Sequence, residues 1–572
     1  MAAKMCKVTY KSVSTAAPVL TIDDAKKDSK RYVPGEPSIE PASRGTDIKK
    51  VIKGVFDLEA QYHYYLEPIS CVVVPVDNTL EVYDSTQWMD LTQIAVARSL
   101  GISESEVIVK VRRIGGGFGG KISRNAQTAA ACALVAKKLD RPCRFILPLQ
   151  TNLATAGKRL PCQCEYEVGV NDDGKIQYLN ATIIEDNGCS NNENILSFTL
   201  GGFPNCYNTE TWSLKTATVT TDTPSNSFAR APGTCEGITS IENIMQHIAF
   251  AVQKDPTSVR KANMRTEDND LPELIETLKS DANYDQRVKE IEQFNKTNRW
   301  TKKAISINVM CFPVVFYGNY SALVSIYRGD GTVTVSTGGI EMGQGINTKA
   351  AQVCAYELGV PLEYVKVVPH YSFVAANNVF SGSSITTESV CYSIIRACEV
   401  LKNRLTPIRR DMPDATWERI IKKAGEDQVD LTSLYMMEDT DKNLQGYSAF
   451  AVAITETQLD VPTGRFQIVR SDILEDVGVS ANPKLDVGQV QGAYVQGVGY
   501  FTCEKLKFDK ETGRLETNRS LTYHVPLALD IPVEYKVKLR YNHRNTKGVL
   551  GSKTCGEMGI CTAHGVIQAL RQ

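Results

Sequence analysis

The chain has 572 residues with 64 basic and 65 acidic side chains, so its formal net charge is −1 at pH 7. This balance gives no electrostatic reason to expect binding to nucleic acid or to an anionic membrane surface. The length allows several domains with their own cores, and no apolar run reaches membrane-spanning length, so we expect a soluble cytoplasmic protein.

The cysteines and histidines of the chain are scattered. Of the 16 cysteines, the closest pair, Cys162 and Cys164, forms only a C-x-C. Because the N-terminal "MAAKMCKVTYK" has no apolar signal core, the sequence predicts free thiols in a reducing compartment. Neither the cysteine spacing nor the six isolated histidines match a zinc or iron–sulfur pattern. We therefore expect no metal held directly by protein side chains.

The N-terminal region is polar, and its predicted secondary-structure elements are short. The segment "VPGEPSIEPASRGTD" at 33–47 carries the Pro and Gly residues typical of a linker. The pattern predicts a small appendage over 1–54 and a larger unit that starts near Val55. This unit mixes short alternating strands with helices, among them 257–264 and 285–296.

A glycine-rich loop, "RIGGGFGGKI" at 113–122, follows a predicted strand at 106–112 and precedes an alanine-rich helical run from 123. It fits both G-x-G-x-x-G and G-x-x-x-x-G-K. The second pattern needs a magnesium-binding hydroxyl where Ile122 stands, and the first rests on a single acidic residue, Asp140, at the required distance. The geometry itself predicts backbone N–H groups at a helix N-terminus, where an anionic or acceptor-rich cofactor can dock.

The second half of the chain repeats this arrangement after a predicted joint at 298–305. A strand at 332–336, the loop "TGGIEMGQGIN" and a helix at 348–359 follow one another, and a further strand is predicted at 364–368. The alternation of elements predicts a mixed α+β fold in two parts.

Each predicted loop is accompanied by a glutamine: Gln87 in "DSTQ", Gln344 in "EMGQG" and Gln489 in "DVGQVQG". A primary amide both donates and accepts hydrogen bonds, so it suits a flat heterocycle with both functions on its edge. A further polar loop, "SGSSITTES" at 381–389, adds hydroxyl groups.

The order of six segments resembles a known family. They are "GGGFGGK" at 115–121, "SNSFARAPGTCEG" at 225–237, "GGIEMGQGINTK" at 338–349, "SGSSITTES" at 381–389, "NPKLDVGQVQGAYVQGVG" at 482–499 and "SKTCGEMG" at 552–559. Together they resemble the molybdenum-binding region of the xanthine dehydrogenase and aldehyde oxidase family, the molybdenum hydroxylases. The resemblance covers essentially the whole chain and is greatest to eukaryotic aldehyde oxidases, such as those of insects.

The resemblance implies a two-part molybdopterin-binding region. Its first half covers 55–300 and its second half 301–572, with a C-terminal truncation. Residues 1–54 resemble a partial hammerhead-like segment, the remnant of the small α/β hammerhead domain that precedes this region.

The resemblance also implies a cofactor, Mo-molybdopterin, whose dithiolene sulfurs hold the metal. Residues near the metal are Gln87, Phe118, Arg230 and Ser383. The implied cofactor-binding positions are Gln87, Gly117, Phe118, Gly119, Arg230, Gln344, Gly345, Ser383, Ser384, Thr386 and Gln489. The 2Fe-2S clusters and the FAD of the family are expected in the full-length enzyme but not in this chain.

Glu557 matches the family's catalytic glutamate. In the family this residue is the general base that activates a metal-bound hydroxide, which attacks the substrate carbon while hydride passes to a sulfido ligand. The resemblance thus implies oxidation of aldehydes to carboxylic acids with water-derived oxygen. One departure is that Met558 and Gly559 follow the glutamate, where the family usually has proline.

The implied substrate pocket is apolar. Ile122 and Phe198 occupy positions where purine-oxidising members have a glutamate and an arginine. Phe312 matches one of the two rings that sandwich a purine, and Pro232 replaces the other. The resemblance therefore favours an aldehyde as the small-molecule substrate.

Two alternatives stay open at this point. The chain is either an active enzyme or a truncated or non-catalytic remnant of one, and a purine oxidiser similar to xanthine dehydrogenase is the second alternative for substrate. For the full-length enzyme the resemblance implies a homodimer, and electron carriers on a partner subunit are a further option.

Overall fold

The structure is a computed structural model that describes residues 5–11, 16–439, 441, 444–541 and 543–572, apart from the side chain of Pro37. Within the predicted hammerhead remnant, residues 1–4 and 12–15 lie outside this description.

The strands, in chain order, are β1 (Tyr32–Ile39), β2 (Lys50–Leu58), β3 (Ser70–Val76), β4 (Thr79–Asp84), β5 (Val107–Val111), β6 (Cys143–Ile146), β7 (Cys162–Val170), β8 (Ile176–Asp186), β9 (Trp212–Val219), β10 (Thr301–Val314), β11 (Tyr320–Ile326), β12 (Val333–Thr337), β13 (Val365–Val367), β14 (His370–Tyr371), β15 (Thr432–Met437), β16 (Tyr447–Asp460), β17 (Arg465–Glu475) and β18 (Glu534–Leu539).

The α-helices are α1 (Ile22–Ala25), α2 (Met89–Leu100), α3 (Asn125–Leu139), α4 (Leu149–Thr155), α5 (Leu196–Gly202), α6 (Thr234–Val252), α7 (Pro256–Asn263), α8 (Leu271–Asp281), α9 (Tyr284–Thr297), α10 (Ile346–Leu358), α11 (Thr386–Asp411), α12 (Trp417–Glu426), α13 (Pro483–Thr502), α14 (Met558–Thr562) and α15 (Gly565–Arg571). Within the described ranges, none of the helices combines the length and the apolar character needed to cross a bilayer.

Four sheets organise these elements, and the mixed α+β prediction is confirmed. Two five-stranded sheets have the orders β1-β9-β8-β7-β2 and β14-β5-β4-β3-β6. Two four-stranded sheets have the orders β10-β16-β17-β18 and β13-β12-β11-β15.

The N-terminal segment is part of the first sheet, so the linker predicted at 33–47 is wrong for its first half. Strand β1 pairs antiparallel with β9, with Pro34 opposite Ala217. Prolines fit here because β1 is an edge strand, where a missing N–H leaves no ladder bond unmade. The predicted boundary after residue 54 falls inside β2, which pairs with β7 along its whole length.

The predicted joint at 298–305 is shorter than expected. Helix α9 ends at Thr297 and β10 already begins at Thr301, so only the three residues between them connect the elements. Strand β10 then pairs with β16 over 14 consecutive positions. The division into three domains stays a prediction.

The two halves are interlocked at the glycine loop. Strand β14 comes from the second half, but it pairs with β5, the strand that leads into the first glycine loop. The N–H of Ile114 also donates to the carbonyl oxygen of Glu341 at 2.9 Å. The largest apolar cluster likewise runs from Ile52 to Cys561. These contacts bring both glycine-rich loops to one place.

Candidate functional site

A cavity of about 600 Å³ opens where the loops of the two halves meet. Its wall combines the first glycine loop, the loop around Gln344, the loop 381–384, one side of α13 and the segment 552–557. These parts are far apart in sequence, and the interlocked sheets bring them together.

Most of the sequence-predicted site residues line this cavity: Gln87, Phe118, Gly119, Ile122, Phe198, Arg230, Pro232, Gln344, Ser383, Ser384, Thr386, Gln489 and Glu557. Two predicted glycines stand behind the wall. A Cβ on Gly117 would lie 2.4 Å from the Gln87 side-chain oxygen, and one on Gly345 would lie 2.4 Å from Leu485. Both glycines therefore allow a close approach of neighbouring groups.

Phe312 is not among the lining residues, so the predicted place of this ring in the pocket is wrong. It lies in β10 opposite Ala449 and is 4% exposed. The paired strand turns its side chain into the apolar core, which sequence matching alone did not reveal.

The aromatic wall of the cavity is made by other residues. Phe228 and Phe380 line it, and their rings stack with centroids 5.9 Å apart at 28°. Tyr317 lies edge-on to Phe380, and its hydroxyl pairs with that of Ser383 at 2.5 Å. The sequence signal was present, because Phe228 lies within "SNSFARAPG" and Phe380 directly precedes "SGSSITTES".

His63 supports this aromatic wall. Burial lowers the pKa of its imidazole to about 4, so the ring is neutral at pH 7. Its Nε2 lies 2.6 Å from the carbonyl oxygen of Phe228, which can only accept, so the ring donates from Nε2. The histidine thus fixes the backbone that carries Phe228.

Gln87 ties the glycine loop to the loop 381–384. Its Oε1 accepts hydrogen bonds from the N–H groups of Gly119 at 3.0 Å and Lys121 at 3.3 Å. Its Nε2 donates to the carbonyl oxygen of Ser381 at 2.8 Å. Gly119 has φ +98°, and a Cβ there would lie 2.5 Å from the Phe228 carbonyl oxygen, so only glycine fits.

Several non-glycine residues at the cavity hold a left-handed backbone. They are Phe118 (φ +53°), Ala231 (φ +56°), Ser383 (φ +54°) and Ser384 (φ +56°). This conformation costs energy for residues with a side chain, and such strain is concentrated at binding and catalytic sites. Its concentration on the loops of one cavity indicates a site shaped for a ligand.

Glu557 is held at the wall by the backbone of the 225–237 segment. Its Oε1 accepts a hydrogen bond from the N–H of Ala231 at 2.9 Å, and the residue is 8% exposed. Arg230, in the 225–237 segment, contacts two further elements. Its Nε donates to the carbonyl oxygen of Gly556 in the 552–557 segment at 2.6 Å, and its Nη2 donates to the carbonyl oxygen of Gln489 on α13 at 3.1 Å. Burial lowers the pKa of the Arg230 guanidinium, against the opposing effect of nearby Glu557.

One part of the cavity wall offers groups that suit an anion. The hydroxyls of Ser383, Ser384, Thr386 and Thr387 line it at the N-terminus of the 26-residue helix α11. Lys349 lies nearby and pairs with Asp486 at 2.6 Å. A helix N-terminus with hydroxyl donors is a favourable place for a phosphate.

The Gln344 side chain is engaged within its own loop. Its Oε1 accepts from the N–H of Met342 at 2.7 Å, and its Nε2 donates to the carbonyl oxygen of Ile340 at 2.8 Å. The neighbouring Glu341 carboxylate accepts from the N–H groups of Gly343 and Gly345 at 2.8 and 3.1 Å. Gln344 therefore shapes the loop, and the loop forms the cavity wall.

Comparison with known protein families gives two matches, each described as a molybdopterin cofactor-binding domain. One covers residues 31–264 and the other residues 277–532. The chain belongs to the molybdenum hydroxylases. The expected resemblance is thereby confirmed.

The chain is similar in sequence to proteins named as aldehyde oxidases. It is 33% identical to probable aldehyde oxidase 2 of Oryza sativa subsp. japonica over 607 residues, which is 100% of this chain and 44% of the relative. It is 32% identical to aldehyde oxidase 3 of Mus musculus over 590 residues, 98% of this chain and 44% of the relative. The chain thus spans less than half the length of these relatives.

Solved structures share the fold of this chain. Quinoline 2-oxidoreductase from Pseudomonas putida 86 matches with a TM-score of 0.88 at 20% identity, over 100% of this chain and 80% of that one. The aldehyde oxidoreductase of Desulfovibrio gigas matches with a TM-score of 0.77 at 20% identity, over 95% of this chain and 61% of that one.

The residues of the cavity fit a molybdopterin. Hydroxyls and a helix N-terminus suit its phosphate, and amides and strained backbone N–H groups suit its heterocycle. Among the described residues, one cluster could ligate a metal directly: Asp270, Asp476 and His543. It lies outside the lining residues, and Asp476 is already paired with Lys553 at 2.6 Å.

Proposed function

We propose that this chain is the molybdopterin-binding part of an enzyme that oxidises aldehydes to carboxylic acids with oxygen from water. The observation that carries the proposal is the position of Glu557, a carboxylate held at the wall of the cavity by the Ala231 N–H. The names of the relatives, aldehyde oxidases of a plant and of the mouse, support the substrate class.

Glu557 is the proposed general base. Its carboxylate is held at one oxygen by a backbone donor, so it can take a proton from a water-derived nucleophile without searching for its orientation. The molybdenum cofactor, when bound, supplies the oxidising centre that accepts hydride from the substrate carbon. Because Glu557 is part of the cavity wall, it can accept the proton without being a ligand of the metal.

The other predicted site residues are proposed to hold the cofactor. Gln87, Phe118, Arg230 and Ser383 would face its metal end, with Gly117 and Gly119 allowing close approach. Gln344, Gly345, Ser384, Thr386 and Gln489 would surround the pterin and its phosphate. We also propose that residues 55–300 and 301–572 are the two halves of one cofactor-binding unit, because both contribute to the same cavity wall.

The substrate side of the cavity is proposed to be apolar. Ile122 is 3% exposed and lines the cavity together with Phe198 and the stacked rings of Phe228 and Phe380. A polar purine edge would lose its water there without gaining a partner. An aldehyde with an aliphatic or aromatic substituent would bury that substituent against this wall.

The test is the variant Glu557→Gln in chains expressed in a host that makes molybdopterin, assayed with an aldehyde and an artificial electron acceptor. We expect turnover to fall by about 100-fold to 10,000-fold, the usual contribution of a general base. Molybdenum and pterin content should stay unchanged, because the carboxylate is not among the proposed anchors of the cofactor.

The matched control is Glu185→Gln. Glu185 is buried and hydrogen-bonded to Thr199, and it lies outside the lining residues. This variant should keep wild-type turnover. A tenfold loss of rate corresponds to a rise of about 1.4 kcal/mol in the activation barrier. If Glu557→Gln kept more than a tenth of the wild-type activity, this result would contradict the role of Glu557 as general base.

A further inference from the structure

Arg159 is a buried arginine that does not line the cavity but makes three directed hydrogen bonds beside it. The residue is 1% exposed and lies between α4 and β7. Its Nη1 donates to Glu236 Oε1 at 3.0 Å, and its Nε donates to Gln61 Oε1 at 3.2 Å. Its Nη2 donates to the carbonyl oxygen of Arg230 at 2.7 Å.

The third bond reaches the peptide group that holds Glu557. The carbonyl of Arg230 and the N–H of Ala231 belong to one peptide unit, and they point in opposite directions when the peptide is trans. Arg159 binds the oxygen of this unit, and Glu557 accepts from its nitrogen at 2.9 Å. The peptide is therefore clamped between a guanidinium and a carboxylate.

This clamp has two physical consequences. Ala231 has φ +56°, a strained conformation that needs support from its surroundings. A cationic donor on the carbonyl oxygen also polarises the peptide and strengthens the N–H as a donor to the carboxylate. Both effects hold the Glu557 carboxylate in one orientation.

We infer that Arg159 is a positioning residue for Glu557 that acts through the Arg230–Ala231 peptide. The inference rests on the proposed function of Glu557 as the base. Glu236, which is 0% exposed, supplies the counter-charge that keeps the guanidinium in place, and the Tyr500 ring lies 4.8 Å beneath it.

The chain contains a matched control for a purely structural role. Arg260 is also 1% exposed, and its Nε donates to Glu242 Oε2 at 2.8 Å. Glu242 lies six positions after Glu236 on α6, so both ion pairs are anchored on the same helix. Arg260 bonds Gln568 instead of the peptide that holds Glu557.

The experiment compares Arg159→Lys with Arg260→Lys. Lysine keeps the positive charge but cannot reproduce the fork of a guanidinium that binds several acceptors at once. For Arg159→Lys we expect kcat to fall about tenfold, a part of the roughly 100-fold to 10,000-fold contribution of a general base, with KM and molybdenum content unchanged.

A second measurement does not depend on turnover. Hydrogen exchange of the Ala231 amide, followed by mass spectrometry on the chain without cofactor, should be faster in Arg159→Lys than in Arg260→Lys and the wild type. Equal exchange in all three proteins, or an equal kcat in the two variants, would overturn the inference. Faster exchange in Arg159→Lys together with a wild type that oxidises no aldehyde would support the clamp and contradict the proposed function.

Discussion

At the scale of single residues, the proposed preference for an aldehyde rests on the side chain at position 122. Ile122 stands in the wall directly after the glycine loop and offers no hydrogen bond to a ligand. Each unpaired polar group of a buried ligand costs about 1–3 kcal/mol. With Phe198 also apolar, a purine loses two partners, which corresponds to a factor on the order of one hundred or more.

We therefore predict that kcat/KM for benzaldehyde or a long-chain aldehyde exceeds that for xanthine or hypoxanthine by about a hundredfold. Steady-state assays of the loaded enzyme measure this ratio. Ile122→Gln should lower this ratio, because the added amide can hydrogen-bond to a purine. The matched variant Ile122→Leu should leave the ratio unchanged. Equal values for a purine and the best aldehyde would refute the apolar-wall argument.

The two residues after Glu557, where the sequence departs from the family pattern, are closely packed. Met558 is 0% exposed and opens α14. A Cβ on Gly559 would lie 2.6 Å from the carbonyl oxygen of Val490, so this glycine packs directly on α13. Close packing restrains the backbone after Glu557, where proline would restrain it in the family pattern. The Glu557 carboxylate keeps its hydrogen bond to the N–H of Ala231.

At the scale of elements, α13 shapes the cavity because two of its residues on the cavity side are glycines without side chains. Gly488 and Gly492 line the cavity, and a Cβ on either would meet no atom within 4 Å. Glycine inside a helix costs up to about 1 kcal/mol relative to alanine. The helix therefore carries two unfavourable residues that leave room for a ligand.

We predict that Gly492→Leu lowers molybdopterin content at least about tenfold, because a side chain forced into occupied space costs about 1–3 kcal/mol. The melting temperature of the cofactor-free chain should not fall, since the substitution favours the helix. Pterin and molybdenum analysis with thermal unfolding tests both statements. The control is Gly201→Leu on α5, where the Cβ also meets no atom but lies outside the lining residues. A fully loaded Gly492→Leu chain would contradict the idea.

Local patterns predicted several elements of the site well. The strand–glycine loop–helix unit was expected at 106–139 and is observed as β5, the loop and α3, because alternation and helix-forming composition are local properties. Phe312 and the edge strand β1 were misjudged for a common reason. Phe312 pairs with Ala449 of β16, 137 residues away, and Pro34 of β1 pairs with Ala217 of β9, 183 residues away. Pairing over such distances leaves no local trace in the sequence.

At the scale of the whole molecule, the cavity is a property of both halves. Strand β14 joins the sheet of the first half, and Gln87 binds the carbonyl of Ser381 across the same boundary. The sequence motifs indicated which segments share the cavity, but they could not supply the clamp from Arg159 or the cluster around His543. Those contacts arise only when the sheets bring distant segments into register.

Because both halves contact the same space, we predict that molybdopterin loading stabilises the entire chain. A ligand that binds only the folded state at 1,000 times its Kd adds about 4 kcal/mol. Chains from a molybdopterin-deficient host and from a competent host should differ in melting temperature by several degrees, with the loaded chain higher. The loaded chain should also resist proteolysis between Thr297 and Thr301, where the two halves are connected. Glu557→Gln should show the same rise in melting temperature on expression in the competent host, since its cofactor content is unchanged, whereas Gly492→Leu should show none. Equal melting temperatures at one molybdenum per chain would mean that the cofactor contacts too little of either half to couple them.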